Sequence, residues 1–167
     1  MITKPNFAGI LQEFFLKRLI NQKNASPQTI SAYRDTFRLL LNFLNIKIKK
    51  SPNQLEIKDI TASMILKFLD YLEIERNNSI SSRNARLAAI RSFFRYAAYL
   101  EPGSSEIIQQ ALAIPMKRSN HHQVNFLSKE EIEAIINAPD ISTWCGNRDH
   151  TMFMTFYNTG ARVSEIV

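Results

Sequence analysis

Two groups of residues in this chain have the types and spacing to bind a phosphate. The first is Thr159-Gly160-Ala161-Arg162-Val163-Ser164-Glu165-Ile166. Gly160 permits backbone angles that a side chain resists, so a tight turn there can deliver Arg162 to the start of a new helix. Arginine presents a planar fork of donors suited to phosphate oxygens, while Val163, Ile166 and Val167 can pack inward. The second group lies between Glu75 and Glu101, a stretch with no acidic residue but five arginines: Arg76, Arg83, Arg86, Arg91 and Arg95. Arg83 and Arg86 are three apart, hence neighbours on a helical surface. Ser81, Ser82 and Asn84 sit beside them, where a helix N-terminus itself favours phosphate. Thr29, Ser31, Arg34 and Arg38 repeat the layout upstream, diluted by Asp35. The plainer readings are a turn-flanking surface arginine for Arg162 and a solvated or acid-paired face for the others.

Other reactive residue types carry less. His121 and His122 are adjacent, which is poor spacing for two ligands on one metal, and no cysteine or carboxylate cluster lies near them. They read as linker histidines. Cys145 follows Trp144 without a recognisable base partner and reads as structural or incidental. Glu130, Glu131 and Glu133 read as capping and solvating their helix. There is no phosphate-cradling glycine loop and no Ser-His-Asp pattern. No metal and no cofactor is expected.

Helices must position these groups. Phe7, Ile10, Leu11, Phe14, Phe15, Leu19 and Ile20 recur at helical spacing over 7–22. Ser26-Pro27 supplies an N-cap and a first-turn proline for a second helix reaching about Leu44. Residues 45–60 read as a lysine-bearing connection with Lys47, Lys49, Lys50 and Pro52. Thr61 caps a third helix over about 62–75. Ser79 to Ser82 open a fourth, with Leu87, Ile90, Phe93, Phe94 and Ala97 inward, and Pro102-Gly103 ends it. A short helix over about 105–113 follows. The run from Pro115 through Lys117-Arg118 to His122 is polar, proline-started and aperiodic, and reads as an interdomain linker. Ser128 and Glu131 then form a capping box for a helix to about Asn137. A loop over 138–147 precedes a helix opening at Arg148-Asp149 and ending at the Gly160 turn.

Bulk properties agree with a helical, nucleic-acid-facing protein. The chain has 167 residues, 45% of them hydrophobic, with only four glycines and six prolines; that argues against the many turns of an all-β fold. A single cysteine excludes an internal disulfide and suits a reducing compartment. No apolar run approaches the roughly 20 residues of a membrane span, and no secretory leader is apparent, so a cytoplasmic location is expected. Residues 1–126 carry 18 Lys/Arg against 9 Asp/Glu, whereas 127–167 carry 3 against 6. The basic excess of the first part suits a polyanion.

A basic helical module, a Lys-Arg linker, "LSKEEIEAII" and "RDHTMFMTFYNTGARVSEI" follow one another in an order that resembles the tyrosine recombinases, or phage integrase family. "TGARVSEI" is similar to that family's first arginine box. "SPQTISAYRDTFRLLLNFL" and "SSRNARLAAIRSFFRYAAYLEP" resemble the second and fourth helices of its core-binding domain. The resemblance implies a C-shaped clamp on duplex DNA, with those two helices at the major groove. It also implies that Arg162 is the first catalytic arginine, neutralising charge on the scissile phosphate, with Glu165 supporting its placement. The family's tyrosine nucleophile, second arginine, hairpin lysine and His/Trp partners all fall downstream of that box. Tyr157 and the other tyrosines precede Arg162 and lie in apolar stripes, so none is expected to be the nucleophile.

The expected fold is therefore all-α: a four-to-five-helix core-binding (SAM-like) bundle over 1–112, a linker over 113–126, and the first two helices of a truncated catalytic domain over 127–167. Duplex DNA is the expected partner, met by Thr29, Arg34, Arg38, Ser81, Ser82, Arg83, Arg86, Arg91, Lys117 and Arg118. Self-association on DNA is expected in the intact protein, and neither a membrane nor a small-molecule substrate. The chain as given is expected to bind DNA without cutting it. The competing reading is a non-catalytic helical module that binds protein partners or regulates an intact recombinase. A helix-turn-helix repressor is less favoured, because no short recognition-helix pair of that spacing stands out.

Overall fold

A computed structural model describes residues 6–119 and 126–166, and every regular element among them is helical. The chain forms two compact units, Met1–Asn120 and His121–Val167.

In the first unit, Asn6 caps α1 (Phe7–Glu13) by accepting a hydrogen bond from the Gly9 N–H at 2.9 Å. The chain stays helical through Gln22 but widens to π winding over Phe14–Gln22. Five-residue bonds of that kind bring Phe14 and Leu19, five apart, onto one buried side. An α-helical stripe would have separated them. Ser26 caps α2 (Pro27–Ile48) with Pro27 in its first turn. This helix runs past the expected end near Leu44, because Ile48 still packs on the core, and stops where Lys49 turns left-handed at φ 57°.

Residues 51–60 are more than a solubilising connection. Two short 3-10 turns there insert Leu55, Ile57 and Ile60 into the core. Lys50 Nζ meets Asp59 Oδ1 at 2.6 Å and pins the loop. Thr61 caps α3 (Ala62–Ile74) and Ser79 caps α4 (Ile80–Leu100). Another 3-10 turn leads into α5 (Ser105–Ala113), which packs on α4. The centre of the bundle is aromatic. Phe93 lies edge-on to Phe7 at 5.1 Å, Phe37 at 5.3 Å, Phe14 at 5.6 Å and Phe94 at 5.6 Å.

In the second unit, Ser128 and Glu131 form the expected capping box on α6 (Lys129–Asn137). The helix α7 (Trp144–Thr159) begins earlier than Arg148 because Thr143 caps it, its hydroxyl accepting from the Gly146 N–H at 3.0 Å. Gly146 is required there: a Cβ would stand 1.9 Å from the Asp140 carbonyl oxygen. His150 Nδ1 lies 2.8 Å from the Ile136 carbonyl oxygen and ties α7 to α6. On α7 the hydroxyls of Thr151, Thr155 and Thr159 each donate to the carbonyl four residues back, at 2.9, 2.8 and 2.6 Å. The helix ends at Gly160, φ 65°, before the short α8 (Val163–Ile166).

Truncating the ring that joins four others tests this packing. Phe93→Ala should cost about 3–5 kcal/mol of stability in a urea titration, whereas Tyr99→Ala, at a 79% exposed site, should change it by less than about 0.5 kcal/mol.

Candidate nucleic-acid interface

The rotation of α4 decides where each arginine goes. Its inward stripe is Leu87, Ile90, Phe93, Phe94 and Ala97, all at most 1% exposed. Continued one turn toward the N-terminus, that stripe reaches position 83. Arg83 is accordingly buried, 3% exposed, with its Nε 2.9 Å from Glu73 Oε1 on α3. This is a close ion pair rather than an aligned hydrogen bond, since neither atom has a hydrogen-bond partner of good geometry. The expectation that Arg83 and Arg86 share an exposed surface is corrected here: Arg83 points into the fold. The four-residue spacing to Leu87 carried the signal, and the partner Glu73, ten residues away, left no local trace.

Lys117 is also committed to an intramolecular contact. Its Nζ donates to Glu73 Oε2 at 2.8 Å, so one carboxylate serves two cations. The hydrogen bond from Lys117 is the chief reason that the Glu73 carboxyl titrates below its ordinary value, with the charges of Lys117 and Arg83 adding to it. Arg118, the next residue, is exposed.

The remaining basic groups face outward to differing degrees. Arg86 is half-buried and donates through Nη1 to Thr36 Oγ1 at 3.2 Å, which ties α4 to α2. Together with Thr29, Tyr33, Asp35 and Ser82 it lines a groove between the two helices. Thr29 and Ser82 each stand three residues after the cap of their helix, so both helix N-termini open on that groove. The Nε groups of Arg86 and Arg91 have no hydrogen-bond partner among the described residues. Arg34 is exposed, bonded to Ser31 Oγ at 3.1 Å and only loosely to Asp35 at 3.9 Å. Arg38, Ser81, Arg76 and Arg95 are exposed; the last two were not among the expected contacts. Of the five arginines between Glu75 and Glu101, only Arg83 pairs with a carboxylate among the described residues.

In the second unit, Arg162 follows the Gly160 turn as expected and is 83% exposed at its side chain. Glu165 holds it twice, accepting from the Arg162 backbone N–H at 2.8 Å and lying 3.3 Å from Nη1. Tyr157 is 53% exposed, not buried in the α7 stripe, and Tyr99 is exposed as well. Among the described residues no cluster of His, Cys, Asp or Glu could hold a metal, and no helix is long and apolar enough to cross a membrane. His121 and His122 lie outside the described residues.

Comparison with known proteins adds to this geometry. The family model for the phage integrase N-terminal SAM-like domain matches residues 12–99. A relative from Sinorhizobium fredii named "Putative integrase/recombinase y4rC" is 49% identical over 99% of this chain and 50% of its own length. Tyrosine recombinase XerC of Natranaerobius thermophilus is 33% identical over 91% of this chain and 48% of its own. Tyrosine recombinase XerD of Listeria monocytogenes is 30% identical over 94% and 50%. The chain thus spans about half the length of these relatives. No solved structure matches it significantly.

The shared carboxylate has a pH signature. Because the folded-state value of Glu73 is depressed, its contribution is full above the ordinary 4.5 and is lost as the pH falls through the lower folded value. Glu73→Gln should cost about 3 kcal/mol near neutrality, since it leaves Arg83 buried without a counter-charge. Melting curves below pH 4.5 should then bring the two proteins together; a constant gap down to low pH would refute the assignment.

Proposed function

Since the chain belongs to the phage integrase family of tyrosine recombinases, we propose that its first unit binds duplex DNA as the target-gripping part of a site-specific recombinase. The observation that carries this reading is the acid-free stretch around α4. Four of its five arginines have no carboxylate partner among the described residues, an arrangement that raises folding cost through self-repulsion unless a polyanion meets it. Arg86 and Arg91 offer phosphate-directed donors from α4, with Ser81 and Ser82 at its start. Arg34 and Arg38 do so from α2, with Thr29 at its first turn, and Arg118 from the linker. Arg162 we assign to the scissile phosphate, where a fixed cation stabilises charge that develops during cleavage. Glu165 presets its direction. To these 167 residues we assign DNA binding.

Fluorescence anisotropy on a labelled duplex tests this directly. Affinity should fall steeply with salt. Arg34→Ala and Arg38→Ala should each weaken binding across sequences and reduce the salt slope by about 1, without lowering the melting temperature much. An affinity indifferent to salt would sink the reading. A nicked duplex should accumulate no covalent protein adduct.

A second reading rests on the second unit, where Leu127, Ile135, Trp144, Tyr157 and Ile166 are exposed. Such a surface suits a protein contact. Sedimentation with and without DNA separates the two, because a complex that forms without DNA favours a partner-binding module.

A further inference from the structure

The start of the linker is fastened to α4 by one side chain. Asn84 Nδ2 donates to the Lys117 carbonyl oxygen at 2.7 Å, and Asn84 Oδ1 accepts from the Lys117 N–H at 3.1 Å. The amide thereby pairs with a backbone unit 33 residues away as a neighbouring strand would. Its orientation is set from the other side, because Arg83 Nη1 donates to the same Oδ1 at 3.2 Å and would face a repelling NH2 if the amide were flipped. Glu73 completes the fastening by holding both Arg83 and the Lys117 ammonium. Just before it, Ile114 is buried at 5% exposure and seats the chain. Asn84 thus offers no amide group to a ligand, and the Lys117 ammonium is already engaged by Glu73.

From this geometry we propose that Asn84 is a positioning residue. It clamps Lys117 so that exposed Arg118 leaves the bundle at a fixed place near the N-terminal turns of α4 and adds its charge to the DNA-binding surface. Lys117 is the anchor and Arg118 the contact. The proposal rests on the DNA-binding reading above. Its gain is entropic: a donor held in place gives up less conformational freedom on binding than one on a free segment. Asn84→Asp should loosen the clamp in part, since it keeps the acceptor for the Lys117 N–H and loses the donor to the carbonyl. Asn84→Ala removes both.

Two measurements on the 167-residue protein decide the matter. In limited trypsin digestion, with fragments assigned by mass, Asn84→Ala should be cut after Lys117 and Arg118 about tenfold faster than the unmutated protein. Asn84→Asp should fall between them, and the other tryptic sites should keep their rates. Unchanged cleavage at Lys117 and Arg118, or faster cleavage everywhere, would overturn the clamp. The second measurement is a double-mutant cycle by anisotropy. Arg118→Ala should weaken binding several-fold in the unmutated background and much less in the Asn84→Ala background. An equal effect in both backgrounds, or none in either, would overturn the positioning role while leaving the DNA reading intact. Failure of the unmutated chain to bind duplex at low salt would sink both.

Discussion

Phe93 is in edge-on contact with Phe7, Phe14, Phe37 and Phe94, and the surface chemistry of the bundle follows from that contact. Aromatic edges on faces hold ring positions more tightly than aliphatic contacts do, so α4 cannot rotate without breaking several pairs together. Once Phe93 is seated, the periodicity of the helix assigns every other side chain. Position 83 turns inward with Leu87 and Ile90. Position 86 lies at the border, half-buried against Thr36, and position 95 is exposed. The four arginines of α4 thereby acquire different places. One becomes part of the interior, and the others remain at the surface or its border.

The buried one is costly, and its surroundings show how the cost is offset. A guanidinium withdrawn from water needs an opposite charge and filled donors. Glu73 supplies the charge and Asn84 one acceptor. Glu73 keeps some access to solvent, 21% at its side chain, which limits the penalty for the carboxylate and lets Lys117 reach it from outside. The polar network and the aromatic core are therefore one piece of design, since the ring contacts that orient α4 also push Arg83 into the fold.

Much of this was legible in the chain itself. The caps Ser26, Thr61, Ser79 and Ser128, the Pro27 first turn and the Gly160 stop are local chemistry, and each acts where its residue type says it should. The short helix at 105–113 was likewise set by its flanking punctuation. What escaped were features that depend on distant residues. The fate of Arg83 needed the Glu73 contact as well as the spacing to Leu87. The apolar plugs Leu55, Ile57 and Ile60 were hidden among lysines, and no helical period marks residues that enter a core from a loop. The widened winding over Phe14–Gln22 broke the period used to read it. The start of α7 was missed because Gly146 resembles a loop residue, yet its missing side chain is what lets the Asp140 carbonyl come so near. Arg162 was readable as a turn-borne arginine, and the double hold by Glu165 follows from their three-residue spacing.

The threonines of α7 carry a different lesson about what a helix shows its neighbours. Residues 151, 155 and 159 count as polar in any composition, and they stand in one row. Each has already donated its hydroxyl hydrogen to its own helix backbone. What such a residue has left to offer is a methyl group and an oxygen that can only accept. A row of them presents a shallow ridge of methyl groups, one that a second helix can cover without leaving a hydroxyl hydrogen unpaired.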